Sequence, residues 1–166
     1  MFVIVWIPRL DSFPMTLSGF QAVQEELRRL KFVERQNVVD AISAARALGD
    51  LSENAEYHAA KDRQGFIEAR ISELEDIVSK ASVIDVSKID ASTVKFGATV
   101  VLMDVNTEST STFQIVGSVE ADIKGGLLPV TSPTARAVIG KEVGDVITVN
   151  APGGMKSYRI AQISYA

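Results

Sequence analysis

The chain has 166 residues, of which 46% are apolar and 23% charged, so it is not a wholly disordered polymer and has room for at most two modest domains. The absence of cysteine excludes disulfides, thiolate metal sites and cysteine catalysis, and fits a cytoplasmic protein. The net charge of −4 argues against tight, sequence-independent binding to a phosphate backbone, and we therefore expect a protein partner.

The first fourteen residues, MFVIVWIPRLDSFP, contain a short apolar run that ends at Pro8. The run lacks the basic start and the cleavage site of a signal peptide, and it is too short to span a bilayer. We expect residues 1–14 to form a disordered extension ahead of a natural start at Met15, with no attachment to a membrane. An added strand or a hydrophobic peg is the alternative interpretation.

Residues 15–82 carry two runs of apolar residues at helical spacing, and the first run loosens near residues 35–37. Each helix would present one narrow apolar stripe. Only a few residues of the sequence separate the first helix from the second. The two helices are therefore predicted to pack as an antiparallel coiled-coil hairpin. The predicted stripes are Phe20, Val23, Leu27, Leu30, Val38, Ile42 and Ala45 in the first helix, and Ala60, Ile67, Ile71, Leu74, Val78 and Ala81 in the second.

The segment where the hairpin reverses, ALGDLSENAEYHAA, concentrates the carboxylates of Asp50, Glu53 and Glu56. Two interpretations of the first two residues stay open. In one, Asp50 caps the second helix and Glu53 reaches back to its amide in an acidic capping box. In the other, both carboxylates are ligands for Mg²⁺, a cation that takes only one or two protein carboxylates in most sites.

From residue 83 onward, Val, Ile and Thr alternate between turn residues, which predicts a compact β-rich domain over residues 83–166. Within it, the segment PTARAVIG predicts a short helix capped by Ser132 and stopped by Gly140. A Pro-Gly-Gly sequence at residues 152–154 predicts the turn of a β-hairpin. The expected fold class is therefore α+β.

Six stretches of the chain carry a resemblance to a known family. They are MTLSGF from Met15, GDLSENAEYHAAKDRQ from Gly49, FGATV from Phe96, EAD from Glu120, SPTARAVIGK from Ser132 and APGG from Ala151. In these motifs and in their order along the chain, the sequence resembles the bacterial GreA/GreB transcript-cleavage factors. Its overall sequence is nearer to GreA than to GreB. The resemblance covers residues 15–166.

The resemblance implies a C-terminal domain with an FKBP-like fold that docks at the rim of the secondary channel of RNA polymerase. The hairpin would reach down this channel and promote Mg-dependent endonucleolytic cleavage of the 3′ end of a backtracked nascent RNA, which rescues arrested complexes. It also implies an accessory factor and not an independent enzyme. Such a factor acts as a monomer and meets the RNA and DNA of the elongation complex only within the polymerase.

The two acidic tip residues of the family fall on Asp50 and Glu53. The resemblance implies that they are catalytic residues and ligands of a Mg²⁺ ion that is shared with the polymerase and bound poorly by the free protein. Arg46, Lys61 and Arg63 correspond to a basic patch that contacts displaced RNA, although charged residues on a solvated helix face are the alternative.

Three other side chains near the tip have plainer interpretations. We expect the lone histidine, His58, to be a surface or partner-contact residue and not a metal ligand. We expect Tyr57 and Phe66 to pack against neighbouring side chains and not to stack on RNA.

Two rival functions were weighed against transcript cleavage. A non-cleaving paralogue that binds the same channel and regulates or inhibits the polymerase would not need Asp50 and Glu53. A prolyl isomerase or chaperone is suggested by the FKBP-like fold alone, which is weak support. Such isomerases line their pocket with aromatics over a Trp, whereas Trp6 lies in the extension and the domain holds only Phe96, Phe113, Tyr158 and Tyr165.

Overall fold

The computed structural model describes residues 11–50 and 52–165, and the chain divides into two compact units. One unit consists of Phe20–Ala81, and the other combines the chain up to Gly19 with the chain from Ser82 onward. The first is helical and the second is built on a β-sheet. The predicted α+β class, with a helical hairpin followed by a β-rich domain, is confirmed.

The hairpin is formed by helices on either side of one connection. Its helices are α1 (Leu17–Arg29), α2 (Arg35–Ala47) and α3 (Ala55–Lys80), and a π-helical turn at Leu30–Glu34 joins α1 to α2. Bidentate hydrogen bonds from Arg35 to Glu68, both 2.7 Å, link α2 to α3. Arg63 also donates to Glu34 at 2.8 Å. These exposed pairs add little stability but favour one antiparallel register.

The buried stripes of the hairpin agree closely with those predicted from spacing. In the first arm, Phe20 and Leu27 are only half-buried, and the fully buried residues are Val23, Leu30, Val38, Ile42 and Ala45. In α3, the stripe consists of Ile67, Ile71, Leu74 and Ile77, so Ile77 takes the place predicted for Val78.

The π-helical turn explains why the first stripe loosens in the sequence. The amide of Arg35 donates to the carbonyl of Leu30, five residues earlier. Leu30 and Val38 are consecutive members of the stripe but are eight residues apart, one more than two helical turns provide. In a regular α-helix the extra residue would rotate the stripe by about 100°. The wider turn absorbs this residue, so the apolar side chains keep facing α3.

The β-sheet of the second unit has five strands in the order β5-β4-β3-β7-β6. Only β4 and β5 pair in parallel. The short helix α4 (Pro133–Val138) has the predicted cap, since Ser132 Oγ accepts a hydrogen bond from the amide of Ala135 at 3.1 Å. The strands are β3 (Thr99–Asp104), β4 (Thr110–Val116), β5 (Leu127–Pro129), β6 (Val146–Ala151) and β7 (Gly154–Ser164).

The hydrophobic core of this unit lies between the sheet and α4. It includes Val100 and Leu102 of β3, Ile115 of β4 and Ile160 of β7, none more than 3% exposed. Ala151 pairs with Gly154 across a two-residue turn, which confirms the predicted Pro-Gly-Gly hairpin. Core packing of this kind makes the sheet a firm base for its surface features.

A second, two-stranded sheet corrects the expected extension. Its strands are β1 (Phe13–Thr16) and β2 (Ala81–Ile84). Phe13 and Pro14 therefore belong to a strand and not to a disordered segment, while the extension through residue 10 lies outside the described residues. The helical unit begins at Phe20, five residues later than the boundary at Met15 that the sequence suggested. Among residues 11–50 and 52–165, no helix combines the length and apolar character needed to cross a bilayer.

Candidate functional site

The candidate site is the connection between α2 and α3, residues 48–54. Helix α2 ends because Gly49 adopts a φ of +122°, a conformation that residues with a Cβ rarely adopt. The amide of Leu48 donates to the carbonyl of Ala45 at 3.1 Å and tightens the last turn. The chain therefore leaves the helix at a glycine, and the acidic residues follow immediately.

Asn54 closes the connection from the other side. Its Oδ1 accepts a hydrogen bond from the amide of Tyr57 at 3.0 Å, which caps α3. Its Nδ2 donates to the carbonyl of Ala45 at 2.6 Å, so the same side chain also satisfies the end of α2. The capping-box interpretation, one of the two left open by the sequence, is therefore wrong. Asp50 and Glu53 precede the cap, and they cannot fill it because the helix starts at Ala55.

Asp50 instead organises the turn that precedes Asn54. Its Oδ1 accepts hydrogen bonds from the amide of Ser52 at 3.0 Å and from the hydroxyl of Ser52 at 2.9 Å. These two bonds stabilise the charged form and hold the pKa of Asp50 below its ordinary value of 3.8. Asp50 is therefore an anion at neutral pH, and its Oδ2 accepts no hydrogen bond from a described residue.

Glu53 lies three positions further along the same connection and is exposed. It makes no hydrogen bond or ion pair with any residue in the described ranges. The two predicted catalytic residues are thus both brought to the end of the hairpin, where no lysine or arginine of the described part of the chain pairs with either carboxylate. Glu56, the third carboxylate, is also exposed but belongs to the first turn of α3.

The His58 ring contacts the backbone of the tip. Its Nε2 lies 3.3 Å from the carbonyl oxygen of Ser52, and its ring meets that of Tyr57 edge-on, with 5.6 Å between centroids. Within the described ranges, no three His, Asp or Glu side chains gather closely enough to hold a metal ion by themselves. Any cation held by Asp50 and Glu53 needs further oxygen ligands from elsewhere.

The three predicted RNA-contacting residues are exposed, but they differ in what they already bind. The guanidinium of Arg46 lies 5.9 Å from the centre of the Tyr57 ring, within the range of a cation–π contact. Lys61 Nζ donates to Gln64 at 2.9 Å. Arg63 is engaged with Glu34 on the opposite helix. Contact of these residues with RNA stays a prediction.

Two residues of the connection were missed by sequence analysis, namely Ser52 and Asn54. A signal for Asn54 was present, because asparagine directly before a helix-forming Ala-Glu pair is a strong N-cap pattern. The sequence analysis instead considered Asp50 and Glu53 as the N-terminal cap of the second helix. The packing predicted for Phe66 is wrong, since its side chain is 78% exposed.

A cavity of about 360 Å³ opens on the β-sheet unit. Its apolar lining residues include Leu102, Phe113, Leu128, Val149 and Tyr158, and its polar lining residues include Ser111, Ser132, Thr134 and Asn150. Only two of the four predicted aromatics line it. Tyr165 instead donates to the carbonyl of Thr93 at 2.6 Å and accepts from the amide of Lys95 at 2.9 Å, a structural role. Trp6, the tryptophan that was considered in weighing a prolyl isomerase function, lies outside the described residues.

Comparison with known proteins matches both units. A family model described as "Transcription elongation factor, N-terminal" (GreA_GreB_N) matches residues 13–83. A second, "Transcription elongation factor, GreA/GreB, C-term", matches residues 89–165. The described hairpin and the described sheet thus each fall within one of these two matches.

Curated relatives span nearly the same length. A protein of Phenylobacterium zucineum and one of Maricaulis maris, both named transcription elongation factor GreA, are each 58% identical over 156 residues, which is 94% of this chain and 99% of each relative. The crystal structure of GreA factor homolog 1 of Thermus thermophilus is 26% identical, covers 92% of this chain and 99% of its own, and gives a TM-score of 0.42.

Proposed function

Because this chain belongs to the GreA/GreB family of transcription elongation factors, we propose that it stimulates cleavage of the 3′ end of backtracked RNA within RNA polymerase. The chain itself is an accessory factor. The hydrolysis takes place in the active centre of the polymerase, and the hairpin tip completes that centre. The observation that supports this proposal is the exposure of two unneutralised carboxylates, Asp50 and Glu53, at the end of the hairpin.

The donor set at the tip fits a shared Mg²⁺ ion and not a dedicated site. Oδ2 of Asp50 and the carboxylate of Glu53 are unoccupied by described residues, so two carboxylates are available as hard oxygen ligands. Mg²⁺ demands six ligands and retains several waters, so the remaining ones come from the polymerase and solvent. The chemistry that bound Mg²⁺ supplies is activation of water and neutralisation of charge on the phosphate.

Within this arrangement, Asp50 acts as a ligand and hydrogen-bond acceptor and not as a proton shuttle. Its lowered pKa keeps it ionised, whereas a general base works best with a pKa near the operating pH. The two hydrogen bonds from Ser52 occupy Oδ1 and fix the carboxylate. Glu53 is the second acceptor and helps to orient the attacking water.

Enclosure by the polymerase strengthens these charges. Two unit charges 4 Å apart interact by about 1 kcal/mol in bulk water and by about 4 kcal/mol at an effective dielectric constant near 20. Asp50 and Glu53 are exposed to solvent in the free protein, so their carboxylates bind cations weakly there. They gain strength only when the larger enzyme excludes water from them.

The proposed contacts with RNA and with RNA polymerase involve other residues of the hairpin and the β-sheet unit. Arg46 and Lys61 flank the tip and attract the displaced RNA 3′ end, while Arg63 first has to leave Glu34. The β-sheet unit docks on RNA polymerase, and its largely apolar cavity is the docking surface. The factor works as a monomer in the cytoplasm and contacts the nucleic acids only within the elongation complex.

The test combines Asp50→Asn with Glu53→Gln in stalled, backtracked elongation complexes that contain Mg²⁺. Asparagine at position 50 can still accept both hydrogen bonds from Ser52, so thermal stability should change little, and stimulated RNA cleavage should disappear. The matched control is Asp62→Asn with Glu56→Gln, which removes the same two charges from the neighbouring turns of α3. Cleavage retained by the first double variant, or lost equally in the control, would overturn the assignment.

A further inference from the structure

The middle of the connection between α2 and α3 is held by His58, a residue with no role in the function proposed above. Its Nε2 lies 3.3 Å from the carbonyl oxygen of Ser52. A carbonyl oxygen only accepts hydrogen bonds, so Nε2 carries a proton and is the donor. The contact therefore joins the first turn of α3 to the chain two residues after Asp50.

Ser52 is thus held on both sides. Its amide and hydroxyl donate to Oδ1 of Asp50 at 3.0 Å and 2.9 Å, and its carbonyl accepts from His58. That carbonyl shares one peptide group with the amide of Glu53, and a peptide group is planar. The donors on one side of Ser52 orient the carboxylate of Asp50, and the contact on the other side orients the backbone that leads into Glu53.

The remaining anchors of the connection hold its ends. Asn54 binds the carbonyl of Ala45 and the amide of Tyr57, which secures the helix ends but not residues 50–53. Among the described residues outside the connection, His58 alone has a side chain that hydrogen-bonds to it. Without this contact, the hydrogen bonds of Ser52 would reach only Asp50, its neighbour in the same turn.

The imidazole ring is itself oriented by its neighbours. It meets the ring of Tyr57 edge-on, with 5.6 Å between centroids and 67° between planes, an arrangement that aromatic pairs favour. The Tyr57 ring also faces the guanidinium of Arg46, near the end of α2, at 5.9 Å. The ring of His58 therefore has a defined orientation in the free hairpin.

We propose that His58 is a positioning residue for transcript cleavage. By holding the carbonyl of Ser52, it keeps the two tip carboxylates in one arrangement before the polymerase encloses them. This inference rests on the function proposed above, and every contact that it uses lies within the unit Phe20–Ala81. Misplacement of catalytic groups by about 1 Å can cost about a hundredfold in rate. His58 acts by donating a hydrogen bond and not by transferring a proton.

The first test compares His58→Leu with His58→Gln. Leucine keeps an apolar body of similar size and a high helix propensity but has no donor, so stimulated cleavage at saturating factor should fall about tenfold or more. The factor concentration that gives half-maximal cleavage should not change, because the proposed docking surface is on the other unit. Glutamine ends in an amide N–H near the place of Nε2, so His58→Gln should cleave like the unaltered factor.

The glutamine variant separates positioning from chemistry. A glutamine side chain can donate a hydrogen bond but cannot act as a general acid or base at neutral pH. If His58→Gln loses as much cleavage as His58→Leu, the imidazole does something that an amide cannot, and the positioning role is wrong.

The matched control is Ala59→Leu, which adds the same apolar side chain at the next exposed position of α3. It leaves the donor of His58 in place and should cleave like the unaltered factor. An equal loss in this control would mean that apolar bulk near the tip, and not the missing donor, causes the defect of His58→Leu.

A readout that does not depend on cleavage uses NMR relaxation of the free protein. The backbone order parameters of Ser52 and Glu53 should lie near the rigid value of about 0.85 in the unaltered factor and in His58→Gln, and fall below about 0.6 in His58→Leu. Order parameters that are already low in the unaltered factor, or that do not change in His58→Leu, would refute the inference.

The two measurements also distinguish this inference from the proposed function. If the unaltered factor fails to stimulate cleavage, the proposed function is wrong, and the order parameters alone then decide whether His58 holds the connection in one arrangement.

Discussion

Asp50 and Asn54 show how two neighbouring polar residues divide structural and functional tasks. Asn54 connects both helices of the hairpin through its two hydrogen bonds, so the capping of α3 does not depend on the acidic residues. The pKa of Asp50 is lowered in the folded state, so its contribution to stability is present above pH 3.8 and is lost as the pH falls through the lower, folded value. Because Asp50 is fully exposed, this contribution is small, and the residue is available for function.

This division predicts the effect of Asn54→Ala. Loss of the cap should cost about 1 kcal/mol locally, which corresponds to about fivefold faster amide hydrogen exchange at Tyr57. Asn54→Asp is the control, because it keeps the acceptor for the Tyr57 amide and replaces the donor to Ala45 with a charged acceptor oxygen. Asp50→Asn should leave this exchange rate unchanged. If Asp50→Asn accelerates it as much as Asn54→Ala does, Asp50 is part of the cap.

At the scale of elements, the hairpin depends on a helical defect. The π-helical turn inserts one extra residue between Leu30 and Val38 and leaves Phe32 73% exposed. An unbroken α-helix would turn either the first or the second half of the stripe away from α3. The local irregularity therefore preserves the packing of the whole arm.

Deletion of one residue tests this account. Removing Val33 from the π-helical turn shortens the interval to seven residues, so the stripe continues in a regular helix. The free energy of unfolding should change by less than about 1 kcal/mol. Removing Val39, a similarly exposed valine of α2, rotates Ile42 and Ala45 out of the core and should cost more than about 3 kcal/mol. Urea unfolding followed by helical circular dichroism measures both. Equal losses would show that the turn does not act as an insertion.

At the scale of the whole molecule, the proposed function gives the two units separate roles. The hairpin carries the charges, and the β-sheet unit has the cavity and the firm core. Among the described residues of the two units, none favours the non-cleaving alternative, since Asp50 and Glu53 are present and exposed. If docking belongs to the β-sheet unit alone, loss of the tip charges should not weaken binding to the polymerase.

A competition experiment checks this separation. The Asp50→Asn, Glu53→Gln variant, added in tenfold excess over the unaltered factor, should reduce stimulated cleavage about tenfold, because the two proteins bind with equal affinity. Adding Ile123→Asp to that variant should abolish the competition. Ile123 lines the cavity but is 63% exposed. The carboxylate introduced there should therefore weaken docking without affecting folding. Competition that survives Ile123→Asp would place docking elsewhere.

The sequence alone determined the features that depend on neighbouring residues. The helical stripes, the cap at Ser132 and the Pro-Gly-Gly turn all follow from local periodicity and turn chemistry. The order of six short motifs was enough to indicate the family, and with it the acidic pair at the tip. These features were predictable because each needs only a few consecutive residues to adopt one conformation.

Only the tertiary structure decided which distant residues meet. Thr16 and Glu120 both lie in motifs that the sequence analysis singled out, yet nothing in either motif indicates that they bind each other across 104 positions. Gly19 and Gly117 likewise look like ordinary flexible residues until the groups packed against them are known, which are the Glu120 side chain for Gly19 and the Pro14 carbonyl for Gly117. Such contacts leave no periodic pattern, because they depend on how separate elements pack and not on how one element forms.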